Sequence, residues 1–246
     1  MDCTEYTKNI PADFLDFVRI VRQESPVQLE SIHVVGSVLT PDYQADRSDI
    51  NSLFVVREAG VSFLDFLVGL GKRFRRRQVA PPLIMTKQYI SRSLDVFPVE
   101  FYTLREIHYT LHGNDLLKNL EIDAGFLRLQ CERELKAKLL WLGQIYLQTL
   151  ADKEDLSRKL CAAITGCIPV FRAILHLADG KVSLSAQQTV VALELLLEID
   201  TGIFQTLLQM KKTKKMFVGM EELRSGYIQL HTALARLSRY VDSMAD

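Results

Sequence analysis

"HVVGSVLTPDYQADRSDINSLFVV", residues 33–56, decides how this chain is read. Two apolar runs, one ending at Val35 and one over Ser52–Val56, are β-branched and bounded by turn residues, so they read as short buried strands. Between them Gly36-Ser37 opens a polar loop and Asp49-Ile50-Asn51 closes it. On a strand, residues i and i+2 project on the same face, so Asp49 and Asn51 form a pair of oxygen ligands. Such a pair suits a hard divalent cation, Mg²⁺ above all, which keeps waters and takes phosphate oxygens as further ligands. Gly36 and Ser37 offer backbone N–H groups and a hydroxyl in a tight turn, which can cradle phosphate. Ser48, beside Asp49, is counted with them as a nucleotide contact.

A third oxygen ligand would come from another strand. "DVFPVEFYT", residues 95–103, reads as that strand, with Pro98 requiring an edge or a bulge because it has no amide donor. Alternation sets Val96, Pro98, Glu100 and Tyr102 on one face. A carboxylate there is the odd one out, and beside the Asp49 strand it would bridge the metal or take a proton from an acceptor hydroxyl.

Gly36-Ser37, eleven intervening residues and then Asp49-Ile50-Asn51 resemble the signature of the DNA polymerase β-like nucleotidyltransferase superfamily. "SLDVFPVEFYTLREIHYTLHG" and "LRLQCERELKAKLLWLGQIYL" are similar to a bacterial set of proteins of this type. The resemblance implies an α+β fold, a nucleotidyltransferase-type mixed sheet with helices, followed by an all-α helical bundle as in the minimal and aminoglycoside nucleotidyltransferases. It implies a nucleoside triphosphate, ATP first, bound with Mg²⁺. Gly36 and Ser37 would hold phosphates, and Asp49 and Glu100 would be catalytic metal ligands. The reaction would move a nucleoside monophosphate to a hydroxyl of a small-molecule or macromolecular acceptor. Asn51 departs from the signature, which has a carboxylate there. Its neutral carbonyl oxygen makes it a weak ligand and removes a negative charge from a site built for Mg²⁺. A degenerate metal site of this kind implies slow chemistry or none. The alternative is a non-catalytic nucleotide-binding or interaction module, or a toxin–antitoxin-type component.

The rest of the chain fits two domains, 1–112 and 113–246, with the boundary in "HGNDLLKNLEIDAG". The first half mixes helical patterns with strands: Pro11 starts a helix over "ADFLDFVRIVRQ", "PLIMT" is a strand, and Thr86 caps "KQYISRSL". The second half is helical. Cys131, Leu135, Leu139, Leu142, Tyr146 and Leu150 share one helix face, Leu156, Leu160, Ile164, Cys167 and Phe171 form a second with a break near Gly166 caused by Pro169, and Leu223 to Val241 form the last. "SAQQTVVALELLLEI" starts at a Ser185 cap and is apolar nearly all round, so it is expected at the centre of a bundle of four or five helices.

Thirty basic and thirty acidic residues cancel, so no global field points to nucleic acid or membrane. The basic runs at 72–77 and 211–215 read first as helix ends, where cations favour the C-terminal dipole. Four cysteines without a C-x-x-C pair read as buried thiols of a cytoplasmic protein. The polar N-terminus is no signal peptide and no run reaches the roughly 20 apolar residues of a membrane span. The apolar helices offer a face for a homodimer. His108 and His112 are four apart but no third ligand lies near them in sequence, so zinc is not expected. Arg224 and His231 read as surface residues.

Overall fold

The computed structural model describes all 246 residues except 75–78, 150–151, 199 and 245–246. It divides into two compact units, Met1–Ile122 and Asp123–Asp246. In the first unit the described elements run α1 (Ala12–Glu24), β1 (Leu29–Val35), β2 (Asn51–Val56), α2 (Val61–Phe74), β3 (Leu83–Met85), α3 (Lys87–Arg92), α4 (Pro98–Glu106) and β4 (His108–Gly113).

The four strands form one mixed sheet in the order β3-β2-β1-β4. β1 pairs antiparallel with both β2 and β4, and β3 joins β2 in parallel. The parallel pair needs a crossover, which α2 supplies. Both faces of the sheet are covered, which is why β1 buries five of its seven residues and β2 five of its six. On one face Val35, Leu53 and Val55 pack with Ile90 of α3, Phe101 and Leu104 of α4, and Leu117. Residues of opposite parity, with Phe54 at 0% exposure, meet aromatic side chains of α1 and α2. Phe17 lies 6.0 Å from Phe54 and 5.3 Å from Phe74 between ring centroids.

"DVFPVEFYT", expected as a strand, is instead a turn over residues 95–97 followed by the start of α4. Pro98 stands at the first helical position, where its missing N–H has no intrahelical partner to lose. Pro98, Val99, Phe101 and Tyr102 are buried and Glu100 is exposed. That spacing is helical, and the alternation seen in the sequence was a short-window coincidence. The strand is the next segment, β4. Gly113 ends it at φ +74, and a Cβ there would stand 2.0 Å from the Glu30 carbonyl oxygen. Only glycine lets β4 close on β1 at this point.

The second unit holds α5 (Ala124–Gln148), α6 (Lys153–Ala163), α7 (Ile168–Leu177), α8 (Ala186–Leu197), α9 (Gly202–Thr213) and α10 (Met220–Ser243). The division falls after β4 and its following loop, beyond the expected start of the bundle at 113. α5 and α10 run antiparallel: Arg128 donates to the Val241 carbonyl at 3.3 Å, and the Tyr146 and Tyr227 rings lie 4.7 Å apart. The expected break between α6 and α7 is a 3-10 turn at Ile164–Cys167. The continuous stretch Lys153–Leu177 is long and apolar enough to cross a membrane, and 61% of its most apolar window is buried inside the protein.

α8 is not the central helix. Its Leu195 and Leu196 are 78% and 41% exposed, while α7 buries seven of its ten residues. Thr86, Asp123, Asp152 and Ser185 each cap a helix by accepting a backbone N–H, as their residue types favour.

Candidate functional site

β1 ends at Val35 and the chain turns sharply at Gly36, with φ +82 and ψ −154. This is a conformation open in practice only to glycine. A single 3-10 turn, Ser37–Leu39, follows. Leu39 donates to the Gly36 carbonyl at 3.1 Å, and Thr40 donates to the Ser37 carbonyl through its N–H at 3.0 Å and its hydroxyl at 2.9 Å. Val38 and Leu39 are fully buried, and Asn9 donates to the Val38 carbonyl at 3.1 Å. The turn is thus anchored from below by two apolar side chains, leaving Ser37 half-buried above them.

The polar loop closes on itself before the second strand. Ser48 donates its N–H to the Gln44 carbonyl at 2.8 Å, and its hydroxyl accepts from the Gln44 N–H at 3.3 Å. The Ser48 hydroxyl therefore shapes the loop. Asp49 and Asn51 are exposed while Ile50 between them is fully buried. Ile50 bridges in parallel to Val79, and its carbonyl accepts from Ala80 at 3.1 Å. The buried residue holds its two neighbours on the opposite, open side.

Sheet register brings the two motif halves together. Val35 is paired with Asn51, and a Cβ built on Gly36 would lie 3.6 Å from Asn51 Nδ2. The glycine turn and the first residue of β2 are therefore neighbours, whereas Asp49, expected on the same strand, lies two residues before β2 begins. Glu100 is not on a neighbouring strand. It lies in the first turn of α4, exposed, on a helix that packs against the sheet through Phe101 and Leu104. The strand that flanks β1 on the side away from β2 is β4, and the residue it pairs with Val35 is His108. Among the described residues, no three His, Cys, Asp or Glu side chains gather around Asp49; the group that does gather is His33, His108 and Asp115.

Asp49 and Asn51 offer one carboxylate and one amide at the entry to β2. This suits a single Mg²⁺ carried in on a triphosphate better than a pair of ions, which needs several carboxylates to balance its charge. The basic run at 72–77 lies partly outside the described residues; Lys72 is exposed on the last turn of α2. Lys211 and Lys212 occupy the last turn of α9, where the helix dipole favours cations. His112 pairs with Ile32, across a bulge from the His33–Thr110 pair, so it does not join His108.

No protein-family model matches the chain, and no curated protein matches it. Among solved structures it is similar to spectinomycin adenyltransferase AAD(9) from Enterococcus faecialis, determined with ATP and spectinomycin. The TM-score is 0.53 at 13% sequence identity, over 91% of this chain and 98% of that one. At that identity the likeness is one of fold: the chain has a nucleotidyltransferase-like α+β fold with a helical C-terminal region.

Proposed function

We propose that the Gly36–Ser37 turn and the Asp49–Asn51 entry to β2 bind a nucleoside triphosphate, ATP first. In this reading the backbone N–H groups after Gly36 and the Ser37 hydroxyl hold phosphate oxygens, and Asp49 holds Mg²⁺ with the Asn51 carbonyl oxygen as a weaker neutral ligand. The ion would supply charge neutralisation for the phosphates and the leaving pyrophosphate. A hydroxyl oxygen of a small-molecule acceptor would bond to the α-phosphorus as the bond to the β-phosphate oxygen breaks, and pyrophosphate would leave. Glu100 enters only as a candidate acceptor for the hydroxyl proton, since the strand position that made it a metal ligand is absent. A cytoplasmic location, where ATP is abundant, goes with this reading.

The observation that carries the proposal is the contact between Gly36 and Asn51 across the Val35–Asn51 pair. It joins a turn whose backbone favours glycine to the entry of β2, where Asp49 and Asn51 are both exposed on either side of the buried Ile50. The same residue favours a second reading, a site that binds nucleotide without turnover, because the amide lowers the charge available for metal. Calorimetric titration with Mg-ATP and pyrophosphate release with a triphosphate panel separate the two. Turnover that Asp49→Ala abolishes supports the transferase. Binding without turnover, with turnover gained in Asn51→Asp, supports the binding module. Absence of Mg-ATP binding in wild type and in Asn51→Asp refutes both.

A further inference from the structure

The sheet brings together three side chains that the nucleotide site does not use. His33 sits in the middle of β1 and is fully buried, His108 opens β4, and Asp115 follows it in the loop. Each offers a ligand atom within 4.8 Å of the others. The two imidazole rings meet edge to face with centroids 5.7 Å apart.

The hydrogen bonds fix what each ring can do. His108 Nδ1 lies 3.0 Å from the Arg105 carbonyl oxygen, which can only accept, so Nδ1 carries a proton. Its Nε2 then faces Asp115 Oδ1 at 2.9 Å. That same oxygen already accepts the N–H groups of Leu117 at 3.2 Å and Lys118 at 3.1 Å. A nitrogen lone pair aimed at a carboxylate is repulsive unless a positive species lies between them, either a proton or a metal ion. A protonated Nδ1 bonded to a backbone carbonyl is also the arrangement that presents Nε2 to a metal. His33 has hydroxyl partners at both nitrogens instead. One of its ring nitrogens meets the Ser31 hydroxyl at 2.7 Å and the other the Thr110 hydroxyl at 3.0 Å. Hydroxyls donate or accept, so whichever nitrogen binds an ion, the other keeps a partner.

We propose that His33, His108 and Asp115 bind a zinc ion in the first unit, joining β1, β4 and the loop after β4. Two imidazoles and one carboxylate are a borderline-soft donor set that suits Zn²⁺ and not the all-oxygen preference of Mg²⁺. Zinc bonds of about 2.0–2.1 Å set tetrahedral ligand atoms about 3.3 Å apart, so the His108–Asp115 pair at 2.9 Å needs little movement, and no pair of ligand atoms, all within 4.8 Å, need close by more than about 1.5 Å. Asp115 is 37% exposed at its side chain, which gives the ion a way in and leaves a fourth position for water. The site is separate from the proposed nucleotide site: His108 and Asn51 flank β1 on opposite sides, about 10 Å apart at two inter-strand spacings.

The test uses the untagged full chain, stripped with chelator, then titrated with Zn²⁺ against a competing chelator and with Co²⁺ by visible absorption. One ion per chain, a four-coordinate Co²⁺ spectrum, and an affinity at least about tenfold weaker in His108→Ala and Asp115→Ala are expected. Asp49→Ala should keep zinc binding, so failure here and failure of the nucleotide reading are told apart. If the two variants do not fold, X-ray absorption of the zinc-loaded wild type decides by counting two imidazoles. No zinc retained by wild type, an unchanged affinity in both folded variants, fewer than two imidazoles, or loss of zinc in Asp49→Ala overturns the proposal; in the first case the proton alone bridges His108 and Asp115.

Discussion

Gly36→Ala isolates the cost of the turn that the nucleotide reading depends on. The added methyl would meet Asn51 Nδ2 at 3.6 Å and Asn51 Cβ at 3.9 Å, both ordinary van der Waals contacts, so sterics contribute little. What remains is backbone. With φ +82 and ψ −154, residue 36 lies in a region that costs an L-residue about 1–3 kcal/mol. Alanine also restricts the unfolded chain, which offsets about 0.4–1 kcal/mol. A net loss of about 1–2 kcal/mol is expected, which at a urea slope of about 2 kcal/mol/M lowers the midpoint by about 0.5–1 M. Because two compact units need not unfold together, hydrogen exchange at Leu53 and Phe54 of β2 should be followed beside the bulk signal. Mg-ATP affinity should fall as well, since relieving the strain reorients the Ser37 N–H. Ser37→Ala keeps the turn and should stay within about 0.5 kcal/mol of wild type. A Gly36→Ala midpoint equal to or above wild type would show that residue 36 needs no left-handed backbone, and the turn would lose its special standing.

Gly113→Ala should cost more than Gly36→Ala, about 3–5 kcal/mol, because its methyl adds a 2.0 Å clash with the Glu30 carbonyl to the strain of φ +74; a urea midpoint above that of Gly36→Ala would contradict this. Asp123→Ala removes the side chain that accepts the Phe126 N–H at 3.0 Å at the head of α5, and should destabilise the second unit by about 1 kcal/mol in urea unfolding while leaving exchange in β2 unchanged. Burial pushes the Cys167 thiol up to about 11. It should therefore resist alkylation at pH 8 in the native protein and react only on unfolding. The sign follows: a folded value above the unfolded one means stability is present below about pH 9 and lost as pH rises towards 11. A Cys167→Ala variant with the same alkaline stability profile as wild type would refute it.

Most of the fold was legible because periodicity and capping agree along the chain. Leu156, Leu160, Ile164, Cys167 and Phe171, the stripe read from spacing, are all buried, and Thr86 and Ser185 cap the helices they precede. The segment around Glu100 failed because Pro98 has two meanings. In a strand it marks an edge, while at a helix start it is favoured, and the buried set at 98, 99, 101 and 102 distinguishes them only once burial is known. The pairing of the glycine turn with Asn51 was legible because it is local, joined by one loop. The His33–His108–Asp115 group was not: His33 and His108 meet only because β1 accepts β4 as its second neighbour, and nothing in the spacing of the three residues encodes that pairing.

Ile50 carries a consequence for the two residues beside it. Its side chain is sunk in the core and its carbonyl is tied to Ala80, so the backbone on either side of it is positioned without help from the side chains of Asp49 or Asn51. Side-chain identity at position 51 is thereby decoupled from architecture, and an exposed amide and carboxylate can exchange there at little cost in folding. Under the proposed nucleotide reading, Asn51→Asp then alters charge at a position whose geometry is set elsewhere.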